Sequence, residues 1–423
     1  MKIAKKLFLL AVAGGFIATS CGDDSRGGKV VRMNIWDTGR VETYLGQVAS
    51  DFMKLHPDIK IQVESVPEGF QQAILVQLAG GSAPDIFQVG DNIFSNFQAM
   101  GAMMDLTPFI NGDNPLNLND FMGSILDNNR VGDGIYALPA DFTTQAVYYN
   151  KDIFDEAGIA YPTEDWTWDE FRQIAKQLTV FDADGNVERF GARLSLDIRG
   201  ILPLIYAFGG DLISPDGDTV LGYANGDATV TAMEWVREMI HTDKSVPSAV
   251  QSAAMQGIDL FLSGMSAMYV TGSWPASEYA EVAMNFGTVT LPSGPAGLYG
   301  TVYYSGYAMS KDTKYPEETW LFLRYLATEG RYIFAQHALV AYMPASIAAG
   351  QTTTPYLQPF IKMADFTKPF PELLNPEWLA TGGRLFNQAL EEISLDAIPD
   401  MHGFLNDTAK ESQAAMEEQM GLR

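Results

Sequence analysis

From Val30 to Val89 the chain alternates apolar, strand-like runs with amphipathic helical ones, and this alternation narrows the fold more than any other feature. Val30 to Trp36 (VVRMNIW) reads as a buried strand, and Val41 to Leu55 carries Val41, Tyr44, Leu45, Val48, Phe52 and Leu55 at helical spacing. Pro57 stops that helix, and Ile59, Ile61 and Val63 alternate as a second strand. Phe70 to Ala79 is helical again and ends at Gly80-Gly81; Pro84 to Val89 is a third strand, running into Gly90-Asp91-Asn92 and another helix. Strands separated in this way by helices call for a largely parallel sheet with helices on both faces. In such sheets ligands sit beyond the carboxyl ends of the strands. The candidate positions are therefore Trp36-Asp37-Thr38-Gly39-Arg40 after the first strand and Gly90-Asp91-Asn92 after the third.

At 423 residues the chain is too long for one ordinary core, and its hydrophobic content of 47% can fill two. Gly134 to Phe171 reads as the join between them. Ile135, Ala137 and Leu138 pass Pro139 into the polar patch Asp141, Thr143, Thr144 and Gln145, and Val147 to Tyr149 follows as a second β-rich run. Ile153, Phe154 and Ala157 then fall at helical spacing before Gly158, and Thr167 with Glu170 forms a capping box for a further helix. Beyond it the pattern changes. Thr301 to Ser310 is a long β-rich run able to return the chain to the first lobe, and Met343-Pro344-Ala345 is a candidate third crossing.

The amino-terminal residues belong to neither lobe. Lys2, Lys5 and Lys6 precede the apolar run Leu7 to Ile17 and the small residues Ala18-Thr19-Ser20, which is the pattern of a cleaved signal. The run is too short to span a bilayer comfortably. Cys21 is the only cysteine, so it has no intrachain disulfide partner. Its place between the apolar run and Gly22 to Gly28 resembles a bacterial lipobox, which implies acylation at Cys21 and a membrane anchor on a flexible tether. The formal net charge of −25 repels phosphate backbones and anionic headgroups, so no nucleic-acid partner is expected.

Catalytic signatures find no support. His56, His241, His337 and His402 form no HExxH pair, and Gly264-Met265-Ser266-Ala267 fails as a nucleophile elbow. Gly80-Gly81 has neither the lysine nor the spacing of a phosphate loop, and Asp182-Ala183-Asp184-Gly185-Asn186 reads as a turn because its glycine comes too early for a calcium loop. No cofactor and no metal are expected. With 52 acidic residues, a pair of carboxylates for glycoside hydrolysis carries no weight as a signal. The aromatic residues say more. A sugar ring presents an apolar C–H face and a belt of hydroxyls, so its sites combine aromatic platforms with carboxylates, amides and arginine. Trp36, Trp274 and Trp378 each lie beside a turn or crossing and next to polar residues, whereas Trp166, Trp168, Trp235 and Trp320 fall on helices or at a cap.

In order and spacing, several segments resemble the extracellular solute-binding proteins of bacterial ABC importers, in particular the maltose-binding-protein-like sugar-binding lipoproteins. They include Phe52 to Val63 (FMKLHPDIKIQV), Leu78 to Phe87 (LAGGSAPDIF), Tyr148-Tyr149-Asn150-Lys151-Asp152, Phe208-Gly209-Gly210, Phe261 to Trp274 (FLSGMSAMYVTGSW) and Gly306 to Ser310. The resemblance implies an α/β, two-lobed periplasmic-binding-protein fold of type II-like form, with ligand held in a cleft between lobes joined by two or three hinge crossings. It implies a signal at 1–20, a lipidated linker at 21–28, a first lobe of 29–140 plus 303–342, and a second of 141–302 plus 343–423. The cleft residues it implies are Asp37, Arg40, Asp91, Asn92, Asp141, Trp274, Tyr303 and Tyr304, with Trp378 and Arg384 from the carboxyl-terminal third. The expectation is a monomeric, non-catalytic, extracytoplasmic lipoprotein that captures a mono- or oligosaccharide by hinge closure and delivers it to permease subunits. Gln88 and Val89 stand where maltose-binding relatives carry aromatics, so maltodextrin itself is not implied. The same fold binding a polyol phosphate or polyamine, or a surface glycosidase, are the alternative readings.

Overall fold

The structure, a computed structural model, describes residues 28–37, 39, 41–395 and 398–421. The signal, Cys21 and the linker up to residue 27 lie outside the described residues, as does Arg40. In chain order the framework begins with β1 (Lys29–Ile35), α1 (Gly46–Leu55), β2 (Ile59–Ser65), α2 (Phe70–Ala79), β3 (Ile86–Gly90) and α3 (Phe94–Ala99). It continues through β4 (Ala137–Thr144), β5 (Ala146–Asn150), α4 (Trp168–Leu178), β6 (Val180–Phe181), β7 (Val187–Arg193), α5 (Ile198–Ala207) and α6 (Asp227–His241). It closes with β8 (Ser266–Thr271), β9 (Phe286–Val289), β10 (Val302–Met309), α7 (Pro316–Ala327), α8 (Pro371–Leu374), α9 (Arg384–Leu395) and α10 (Met401–Gly421).

Two five-stranded sheets result, one in each lobe, in the orders β2-β1-β3-β10-β4 and β9-β5-β8-β7-β6. In the first, β2, β1 and β3 are parallel, as the alternation requires, but β10 enters antiparallel between β3 and β4. The sheet is mixed rather than largely parallel because β10 arrives from the other lobe and not through a βαβ crossover. Pro139 is tolerated because β4 lies at the sheet edge, opposite the register shift at Ser305 and Gly306.

The join falls at one residue. Every residue of β4 from Ala137 to Thr144 is buried in the first lobe, Gln145 makes the crossing, and β5 begins at Ala146 in the second. The expected division at 140/141 thus falls inside a strand, since Asp141 and Thr143 are themselves paired with β10. The return crossing precedes Val302. Met343-Pro344-Ala345 is not a crossing: it opens a short helix whose Ala345 is buried in the first-lobe core. Each lobe has its own core, Val31, Phe52 and Trp320 in the first and Phe171, Trp235 and Phe386 in the second. A third apolar cluster sits at the join, where Phe142, Tyr304 and Leu339 pack with Ala146, Tyr148 and Phe360.

Candidate functional site

A cavity of about 410 Å³ opens between the lobes at the carboxyl ends of β1 and β3. Its first-lobe wall is set by Gln88, whose fully buried side chain accepts a hydrogen bond from the Trp36 backbone N–H at 3.2 Å through Oε1. That bond turns the chain out of β1 and brings the Trp36 indole down onto Gly90, where a Cβ would meet the ring at 3.2 Å. Phe70 meets the ring edge-on at 5.5 Å. Asp141 on β4 and Ser305 on β10 are neighbours across the strand pair, and the Ser305 hydroxyl donates to Asp141 at 2.5 Å.

The opposite wall is carried by the turn after β8. Gly272 lets the Trp274 ring fold back over the backbone, where any Cβ at 272 would collide with the indole. The Ser273 N–H donates across the join to the Thr143 hydroxyl at 2.7 Å, and Trp274 meets Tyr303 edge-on at 5.7 Å. Trp274 is thereby held in place while 57% exposed. Tyr303 is backed in turn by Phe370 at 5.0 Å. Burial pushes the Tyr303 hydroxyl up from the ordinary phenol value, so it remains a donor at neutral pH. The Tyr304 hydroxyl is committed to the Asn128 carbonyl at 2.9 Å.

One cation bridges the lobes. Arg199, in the first turn of α5, forms an ion pair with Asp91 at the end of β3 and a second with Glu372 on α8, where Nε lies 3.0 Å from the carboxylate. The face of its guanidinium lies over Phe370 at 3.9 Å and Tyr303 at 4.7 Å. Burial lowers the Arg199 pKa and raises that of Glu372, and each charge partly offsets the effect on the other.

Among the expected site residues, the structure brings Asp91, Asp141, Trp274, Tyr303 and Tyr304 into this one cavity. Asp37 is half-buried just beyond β1, Asn92 beside Asp91 is exposed, and neither lines the cavity. The expectation for the carboxyl-terminal pair is corrected. Trp378 is fully buried in the second-lobe core, stacked on Phe386 at 6.1 Å, and Arg384 is exposed on α9, where it donates to Gln388 at 3.2 Å. The reason is local: the turn at Leu379–Gly383 wraps around the indole, and Gly382 and Gly383 make room for it. Arg199, Gln336, His337 and Gln351 were not foreseen. Asp197, the N-cap of α5, does mark where Arg199 begins a helix, but nothing local shows what it faces.

Aromatic faces of two tryptophans, buried carboxylates and amides in one interlobe cavity can stack on an apolar ring face and hydrogen-bond to its hydroxyls. Among the described residues, no group of three or more His, Cys, Asp or Glu side chains is placed to hold a metal ion, and no helix is long and apolar enough to cross a membrane.

Comparison with known proteins agrees with this architecture. The chain is similar to the maltodextrin-binding protein MdxE of Bacillus subtilis, with 24% identity over 363 residues covering 82% of each chain. It is also similar to the galactooligosaccharide-binding protein of the same organism, with 23% identity over 349 residues, 76% of this chain and 77% of that one. Among solved structures, the sugar-binding protein MalE of Xanthomonas citri superposes with a TM-score of 0.80 at 18% identity, over 93% of this chain and 99% of that one. UgpB of Mycobacterium tuberculosis, in complex with glycerophosphocholine, gives 0.76 at 19% identity, over 93% and 100%. These likenesses establish the two-lobed fold. The profile of the bacterial extracellular solute-binding protein family matches residues 37–331, well over half of the chain, and the protein belongs to that family.

Proposed function

We propose that this solute-binding protein captures a carbohydrate, a mono- or oligosaccharide, in the interlobe cavity and delivers it to the permease of an ABC importer. The observation that carries the reading is Trp274, more than half exposed yet fixed at the cleft by Tyr303 and the Ser273 to Thr143 hydrogen bond, opposite Trp36 and beside Asp141. An exposed, immobilised indole above buried hydrogen-bonding groups matches the amphipathic character of a sugar ring. The relatives named for maltodextrin and galactooligosaccharide binding support the same reading. Closure pivots on Gln145 and on the strand joint ahead of Val302, and ligand contacts made only with the lobes together drive it. The protein acts without catalysis, and acylation at Cys21 tethers it outside the cytoplasmic membrane.

A panel of neutral mono- and oligosaccharides, followed by tryptophan emission and thermal unfolding, tests the ligand class. At least one sugar should raise the unfolding midpoint; a panel that is silent while a polyol phosphate or polyamine gives a shift would remove the carbohydrate assignment. Chromogenic glycosides should yield no product. Expression with Cys21→Ser should release the protein from the membrane fraction, and a variant that stays bound would refute the anchor.

A further inference from the structure

Arg199 is eccentric to the cavity and is not needed to explain it, yet it has three kinds of partner. Its ion pair with Asp91 crosses from the second lobe to the end of β3 in the first, its pair with Glu372 stays on the second-lobe side, and its face lies on Phe370 and Tyr303. Glu372 belongs to the second lobe because α8 is tied to it through Asn375, whose side-chain amide donates to the Gly217 carbonyl at 2.8 Å. The same short segment also meets the first lobe: Leu373 packs against the apolar cluster of Phe94 and Phe97, the Ser95 hydroxyl donates to the Leu373 carbonyl at 3.2 Å, and the Asn96 amide donates to that of Pro376 at 3.4 Å. With the lobes apart, Arg199 keeps the Glu372 carboxylate and the Phe370 ring, so no unpaired buried cation is created by opening. With the lobes together it gains Asp91, whose other oxygen accepts from the Tyr304 N–H at 3.4 Å. The pair with Glu372 thus acts as the holder, and the pair with Asp91 is the one that closure makes.

We propose that Arg199 is a positioning residue that draws the lobes together before ligand enters, with Asp91 as its partner across the cleft and Glu372 as its holder. A bias of this kind sets the fraction of molecules in the closed arrangement and scales the apparent affinity by that fraction. Because Arg199 also lies against Tyr303, which meets Trp274 edge-on, closure and the placing of the aromatic corner are one event. The inference rests on the cleft being the binding site, but its test uses unliganded protein and so stands or falls independently of which solute binds.

Small-angle scattering on the ligand-free protein, together with pulsed electron resonance between spin labels at the exposed positions Lys60 and Glu188, one on each lobe, reads the separation directly. Asp91→Asn, which removes the charge and keeps the oxygen that faces Tyr304, should give a larger radius of gyration and a shift of the label distances to longer values. Glu372→Gln should leave both unchanged from the wild type, because the bridge across the cleft is intact. Arg199→Met, checked for native circular dichroism, should open the molecule as Asp91→Asn does, which covers the case of an Asp91 variant that fails to fold. Dimensions in Asp91→Asn and Arg199→Met equal to those of the wild type would overturn the proposal. Equal opening in Glu372→Gln would also overturn it, since removal of any buried charge in the cluster would then suffice.

Discussion

At the residue scale, exposure and burial of chemically similar groups separate recognition from support. Trp274 and Trp378 look alike in the sequence, each an indole beside a turn and polar neighbours, yet one is 57% exposed and the other is at 0%. Trp274→Ala should therefore weaken sugar binding by roughly tenfold or more with little change in stability, whereas Trp378→Ala should cost about 3–5 kcal/mol of stability. Titration calorimetry paired with denaturant unfolding checks the contrast, and an unchanged affinity for Trp274→Ala would take that residue out of the site. Asp243 is the counterpart among the acids, remote from the cleft and structural in role. Burial acts to raise its carboxyl pKa, but hydrogen bonds from Arg172 and Lys176 outweigh this and hold the group below the ordinary carboxylate value. Its stabilisation is accordingly complete above the unfolded carboxylate pKa and is lost as pH falls through the lower, folded value. Asp243→Asn should lower the unfolding midpoint at neutral pH, and the gap from the wild type should narrow on acidification; a gap constant with pH would remove Asp243 from the acid sensitivity.

At the element scale, what could be read in advance was what local chemistry decides. The capping box at Thr167 and Glu170 is present, with the Thr167 side chain accepting from the Glu170 N–H and the Glu170 side chain accepting from the Thr167 N–H. Gly158 ends its helix in the left-handed region at φ 65°, and Gly185 turns the β6–β7 hairpin at φ 82° around the Asp182 carboxylate. Thr167→Ala should cost about 1 kcal/mol, since it leaves an N-terminal N–H of α4 without its acceptor. What could not be read is how that helix sits. Gly191 on β7 lies so close under the Ala175 carbonyl of α4 that a Cβ would overlap it. Gly191→Ala must push α4 off the sheet and should destabilise the lobe by more than the capping variant does; chemical denaturation of the two variants side by side measures the order. The strand at Ala137 to Thr144 was legible as extended, but its allegiance was not, because Asp141 and Thr143 look like a polar interruption until β10 arrives to pair with them.

At the scale of the whole molecule, two lobes followed from chain length and the change of pattern after Gly134 to Phe171, while the closure contacts did not. Arg199 and Asp91 are more than a hundred positions apart and meet only because two separately folded sheets face each other, so no periodicity or spacing announces the pair. The same reasoning applies to the apolar cluster at the join. Phe142 on β4 and Tyr304 on β10 belong to the first sheet and Tyr148 on β5 to the second, yet all three are at most 5% exposed in one continuous cluster that also takes in Leu339 and Phe360. Tyr148 alone meets Phe261, Tyr279, Phe286 and Phe360 with ring centroids 5.5 to 6.0 Å apart, and its hydroxyl donates to the Gly272 carbonyl at 3.0 Å, two residues before Trp274. A hinge built this way bends at Gln145 without exposing its core, but neither lobe can unfold without stripping apolar cover from the other. Unfolding by denaturant should therefore be a single cooperative transition, with tryptophan emission and far-ultraviolet circular dichroism coinciding. Tyr148→Ala, which empties the middle of the cluster, should separate the two curves; coincident curves in the variant, or separate ones in the wild type, would show that the lobes are coupled by some other route.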